Sequence, residues 1–128
     1  MPVILDVAHN PAAAAVLAKK LSAQNRKVIG VASVLEDKDW SSIVSLLKPH
    51  INYWHIAELT GISRAAEGQS LLKLLYNSGC EGTLSKDIKD AFLSATCQAQ
   101  DNGQVVVFGS FHTVAAVLDF ISMEVTGE

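Results

Sequence analysis

The sequence predicts one α/β domain: a three-layer, Rossmann-like fold with a mainly parallel sheet of about five strands and helices on both faces. Three observations carry this expectation. Short β-branched runs alternate with longer helical patterns along the whole chain. Two of those runs, VIGVASV and QVVVF, are almost wholly apolar, as strands covered on both faces must be. A length of 128 residues with 49% hydrophobic content supports one substantial core and no second one.

Taken in order, the strand candidates are Val3–Val7, Val28–Val34, Tyr53–Ala57, a weaker one at Cys80–Leu84, and Gln104–Phe108. The helical patterns between and after them are Ala12–Gln24, Trp40–Lys48, Ala66–Asn77, Ile88–Gln100 and Val114–Met123. In the first helix Ala13, Val16, Leu17 and Leu21 fall on one face, with Lys19, Lys20 and Gln24 on the other. Local chemistry marks the boundaries. Asn10 can cap a helix that opens with Pro11, Asp39 can cap the Trp40 helix, Ser85 precedes KDIKDAF, and Asn77-Ser78-Gly79 ends the third helix. Repeated strand–helix order implies right-handed crossovers. No internal repeat or linker divides the chain.

Composition excludes several classes. The net charge of −3 is spread without a run of Lys or Arg, which argues against nucleic acid or an anionic membrane as partner. No apolar stretch approaches the ~18–20 residues that cross a bilayer. MPVILDVAHNP has no basic lead, and Asp6 interrupts its apolar run, so it does not read as a signal peptide. Cys80 and Cys97 form no CxxC pair and are expected to be reduced thiols of a cytoplasmic protein.

Ligands of open parallel sheets bind beyond the carboxyl ends of the strands. Polar residues collect there: Asp6 to Pro11 after the first strand, Ser33 and Glu36 to Asp39 after the second, Glu58 to Arg64 after the third, and Gly109 to Thr113 after the fifth. Helix openings at Asn10-Pro11 and Ser110 to Thr113 suit a carboxylate or phosphate. Asp6 could accept paired hydroxyls of a sugar, and Lys38 or Arg64 could neutralise an anion. Each has a plainer reading. Asp6 can bond its own loop, Asn10, Asp39 and Ser110 can be ordinary caps, His9 and His112 can be structural, and no spacing supplies a metal site. No GxxxxGK[ST], GxGxxG or GxSxG motif occurs, so a complete active site is not encoded.

LDVAHNP (Leu5–Pro11), DKD (Asp37–Asp39) and GSFHTV (Gly109–Val114) resemble the C-terminal domain of the bifunctional folylpolyglutamate synthetase/dihydrofolate synthetase enzymes of the Mur ligase superfamily. The likeness runs over essentially the whole chain. AHNP by itself is shared with peptidoglycan Mur ligases, whereas GSFHTV with DKD points to the folate branch. The resemblance implies that residues 1–128 are one domain of a larger two-domain enzyme whose N-terminal P-loop domain lies outside this chain. It implies ATP and Mg2+ as requirements of the full-length enzyme, with neither bound tightly by this domain alone. ATP would activate dihydropteroate or a folate γ-glutamyl tail as an acyl phosphate, which the amino group of L-glutamate then attacks; the separate domain would be inactive.

By the same resemblance, Asp6 would bind the ribose of ATP, with Asn10 also on the ATP side. His9 would stand at the phosphate–glutamate junction as the catalytic candidate. Lys38, Ser110 and His112 would bind glutamate. Three features depart from the family pattern: Val7 replaces a common Gly, Ser63 rather than Pro precedes Arg64, and an edge strand usually found before LDVAHNP is not in the chain. The rival readings are a stand-alone anion- or nucleotide-binding regulatory α/β module and the C-terminal domain of a peptidoglycan Mur ligase.

Overall fold

The structure is a computed structural model that describes residues 3–6, 10–23, 26–34, 39–58, 68–109 and 111–126, with backbone alone for Val34, Phe111, His112, Phe120 and 122–126. Among the described residues five strands and five helices alternate: β1 (Val3–Leu5), α1 (Pro11–Ser22), β2 (Lys27–Val34), α2 (Trp40–Leu47), β3 (Tyr53–Glu58), α3 (Gly68–Asn77), β4 (Gly82–Ser85), α4 (Ile88–Ala99), β5 (Gly103–Phe108) and α5 (Phe111–Thr126). The strands form one sheet in the order β1-β5-β2-β3-β4, and every neighbouring pair is parallel. The predicted three-layer α/β fold is therefore the observed one.

Side-chain alternation along β2 and β5 divides the core in two. Ala32, Trp54, Ile56, Val106 and Phe108 share one cluster with buried residues of α1, α2 and α3. Ile29, Val31, Ala57, Val105 and Val107 share the other with α4 and Val117 of α5. Right-handed crossovers require this division. From β1 through β4 the chain steps one way across the sheet, with its helices on one face. It then returns over the other face to insert β5 between β1 and β2.

β2 is the middle strand of the sheet, bonded to β5 on one side and β3 on the other. Its small Gly30 and Ala32 leave room for large neighbours, and the Trp54 and Phe108 rings meet edge-on with centroids 5.6 Å apart. Added at Gly30, a Cβ would lie 3.2 Å from Ile51 and 3.5 Å from Phe108. Burying a large aromatic pair in edge-to-face contact adds about 0.5–1.5 kcal/mol beyond the area it removes from water.

Local details differ from expectation where short-range pattern competes with packing. The buried face of α1 is Ala14, Leu17, Ala18 and Leu21, and Val16 is 57% exposed. In an alanine-rich helix the small residues approach the sheet most closely, so the stripe rotates away from valine. α4 is capped by Asp87, whose carboxylate accepts from Asp90 N–H at 2.8 Å, and Ser85 instead ends β4. β4 begins at Gly82 rather than Cys80, because the Cys80 amide donates to Leu75 O at 2.8 Å and closes α3. That closure passes through Gly79 at φ +82°, as the sequence of the turn implies. α5 extends to Thr126, past the predicted Met123. Cys80 and Cys97 are both free thiols. No helix among the described residues is long and apolar enough to cross a membrane.

On the α4 face, toward the amino end of β3, a shallow groove of about 590 Å³ is lined by Tyr53, His55, Leu93, Ser94, Cys97 and Gln98. His55 is 6% exposed, and its Nε2 donates to Gln98 Oε1 at 2.6 Å. Its buried Nδ1 has no hydrogen-bond partner among the described residues. Protonation would therefore place an uncompensated charge in the sheet flank.

Two consequences can be measured. A Cβ at Gly103 would stand 2.5 Å from the Ala99 carbonyl oxygen, so Gly103→Ala must shift β5 against the end of α4. A loss of about 1–3 kcal/mol is expected in urea unfolding; an unchanged midpoint would contradict the packing. His55 is held below the ordinary value of 6.5 by burial, which the hydrogen bond to Gln98 only partly offsets. The unfolded chain then takes up the proton first as pH falls. The stabilisation is complete above the unfolded value and is lost as pH drops through the folded one. An NMR titration should place the His55 midpoint below 6.5; a midpoint at or above that value would refute the assignment.

Candidate functional site

The return of the chain decides where a ligand can sit. α1 and α2 leave β1 and β2 toward one face, whereas α5 leaves β5, between them, toward the other. The carboxyl ends of β1, β5 and β2 therefore flank a crevice where crossover direction switches. Leu5, Val107 and Val31 stand at one level of the sheet, and three adjacent strands span about 10 Å. That width suits a small-molecule ligand touching all three strand exits.

Asp6 continues β1 by one bond, its amide donating to Val107 O at 2.9 Å. Its side chain is 18% exposed, and Lys20 Nζ lies 3.7 Å from Oδ2. An ion pair to a largely solvated lysine contributes about 0–1 kcal/mol. Lys20 comes from the last turn of α1, and helical spacing alone gave no sign that it reaches this carboxylate.

Asn10 has extended backbone and caps α1, its Oδ1 accepting from Ala13 N–H at 2.8 Å. The side-chain carbonyl is thereby engaged in the fold, while the amide group retains donors for a ligand. Pro11 follows at the first helical position, where no intrahelical N–H is required.

At the exits of β2 and β5, Ser33 and Thr113 are fully buried, and their hydroxyls share a hydrogen bond across 80 positions of sequence. Both residues belonged to the predicted rim, but their pairing has no local signature. Gly109 lies beside them at φ +121°. A Cβ there would be 3.3 Å from Ser33 O as well as strained by the backbone.

Two acidic rim residues serve the fold. Asp39 caps α2 through Ser42 N–H at 3.2 Å, as its plainer reading held. Glu58 Oε2 accepts Gly68 N–H at 2.8 Å and so closes the start of α3. His9, Lys38, Ser110 and Arg64 lie outside the described residues. His112 lies in the first turn of α5, with its side chain outside the described set. Among the described residues, no three His, Cys, Asp or Glu side chains group as ligands for a metal ion.

Comparison with known proteins agrees with this geometry. Residues 1–111 match the Mur ligase, glutamate ligase domain family. The dihydrofolate synthase/folylpolyglutamate synthase of Haemophilus influenzae is 39% identical over 119 residues, covering 88% of this chain. The chain spans only 27% of that relative's length. Escherichia coli FolC in complex with ADP, without folate substrate, superposes with a TM-score of 0.88 at 36% identity, covering 97% of this chain and 29% of that one. A bifunctional folylpolyglutamate synthase/dihydrofolate synthase with Mn, AMPPNP and L-glutamate bound gives 0.82 at 35% identity, covering 94% of this chain and 29% of that one. With the strand order, switch point and sequence motifs in accord, the chain belongs to the Mur ligase, glutamate ligase domain family.

Proposed function

We propose that this chain supplies the glutamate-binding and ATP-covering domain of an ATP-dependent amide-forming ligase. The reaction joins L-glutamate to dihydropteroate, to folate polyglutamate tails, or to both. The observation that carries the reading is the crevice formed by the exits of β1, β5 and β2 in a chain of this family. Likeness to a solved synthase with a nucleotide analogue, Mn and L-glutamate bound supports it.

In this reading Asp6 accepts the ribose hydroxyls, a role its partly exposed carboxylate at the end of β1 suits. Asn10 works from the ATP side through the amide donors that capping leaves over. His9 stands at the junction of phosphate and amino acid. Lys38 pairs with a carboxylate of glutamate, and Ser110 and His112, where α5 begins, contact the same substrate. ATP brings the phosphoryl group that activates the carboxyl substrate as an acyl phosphate; the glutamate amine then displaces phosphate to form the amide. The residues of this chain bind and orient, and closing them over the second substrate excludes water that would hydrolyse the acyl phosphate.

The sequence holds no P-loop motif, and in this reading the phosphates and Mg2+ are held by an N-terminal P-loop domain of the parent. Such a half-site should be inactive alone. Glutamate-dependent phosphate release is expected only when the chain is mixed with a separately expressed P-loop domain; release by the isolated chain would contradict this. In the full-length parent, Asp6→Ala should raise KM for ATP, and Lys38→Ala should raise KM for L-glutamate. Each rise should be on the order of tenfold, as expected for losing a charge-assisted hydrogen bond. Unchanged constants in both variants would remove the assigned roles.

A further inference from the structure

The groove on the α4 face lies toward the amino end of β3, away from the strand exits that frame the crevice. Leu93, Ser94, Cys97 and Gln98 share one side of α4, at the spacing of one helical turn. Tyr53 and His55 alternate toward them from β3. At about 590 Å³ the groove has the size of a site for a small organic group, and no Lys, Arg, Asp or Glu lines it.

Two features of its wall are not accounted for by packing. Cys97 is an exposed free thiol. His55 is 6% exposed; its Nε2 is engaged by Gln98, and its Nδ1 has no hydrogen-bond partner among the described residues. With Nε2 as the donor, Nδ1 is a buried acceptor left unpaired, which the chain's own groups do not offset. The Tyr53 and His55 rings stand 5.1 Å apart, tilted by 46°, and give a floor with apolar faces and polar edges. Leu93, large and apolar, is exposed beside them.

We propose that Cys97 is a modification site, exchanging with a low-molecular-weight disulfide whose uncharged, amide-bearing arm lies along Leu93, Tyr53 and His55. The Cys97 thiolate attacks one sulfur of the disulfide. A new S–S bond joins Cys97 to the arm as the old one breaks, and the other half leaves as a thiol carrying the proton that Cys97 gave up. The disulfide is itself the oxidant. An uncharged arm suits a groove without charged side chains, and amide N–H groups suit a wall that holds an unpaired acceptor. Cys80 is the internal comparison: it is half-buried, and burial pushes its thiol up, an effect that Lys48 partly offsets. It therefore offers less thiolate for the same exchange. None of this depends on the ligase reading, because the groove shares no residue with the crevice.

The test treats the full-length protein with limiting pantethine, an uncharged amide-bearing disulfide, or with cystamine, which is short and cationic. Peptide mass spectrometry should find the pantetheine arm on Cys97 while Cys80 stays a thiol. Leu93→Ala should slow pantethine exchange at Cys97 on the order of fivefold, as expected for losing part of an apolar contact. Its cystamine rate should stay within about twofold of wild type, the sign that the thiol itself is unaltered. In the wild-type protein, the pantetheine arm should also shift the His55 ring signals in NMR and leave those of His50 in place, a readout that needs no variant. Equal modification of Cys80, equal slowing of both disulfides by Leu93→Ala, no slowing of either, or unmoved His55 signals on the modified protein would each overturn the proposal.

Discussion

The insertion of β5 between β1 and β2 is the constraint on which everything else rests. Without it, Asp6 would not bond Val107, and Gly109 would not lie against Ser33. The insertion is enforced from both sides, because each face of β5 is buried under apolar packing. Its six residues are all buried, so exposing the strand would return its whole apolar surface to water, at about 25 cal/mol per Å². The cost of misplacing β5 is thus paid by the core, while the benefit is felt at the rim.

Most of the fold was legible in local pattern. Five strands and five helices lie where β-branched runs and helical periodicity put them, and Asn10, Pro11, Asp39 and Gly79 mark boundaries for the reasons their chemistry suggests. Strand order was not legible in the same way. Parallel strands joined by helices carry no register signal of their own, and only packing of the returning α4 decides that β5 lies inside the sheet. Similar limits explain the smaller differences. An alanine-rich α1 does not announce its buried face, and Ser85 and Asp87 are both acceptable caps until the strand claims one of them.

The candidate site was legible in outline but not in its internal bonding. Residue type and position picked out Asp6, Asn10, Ser33, Gly109 and Thr113 as members of one rim; Asp6, Ser33, Gly109 and Thr113 lie at neighbouring strand exits, and Asn10 opens α1. Which of them serve the fold was hidden. Glu58 is taken up by Gly68 across the opening of α3, and Ser33 by Thr113 across most of the chain. Such bonds join residues distant in sequence, so neither spacing nor propensity encodes them. The resemblance of LDVAHNP, DKD and GSFHTV to the folate synthases contributed what local physics could not, namely which ligands such a rim would take.

The proposal that a second folding unit completes the rim of three strand exits makes one direct demand on the full-length ligase. Its crystal structure with a non-hydrolysable ATP analogue and L-glutamate should show the ribose hydroxyls on the Asp6 carboxylate. The amino acid should lie between the exits of β2 and β5. A complex in which both ligands bind away from these exits, with the β1-β5-β2 edge facing solvent, would contradict it.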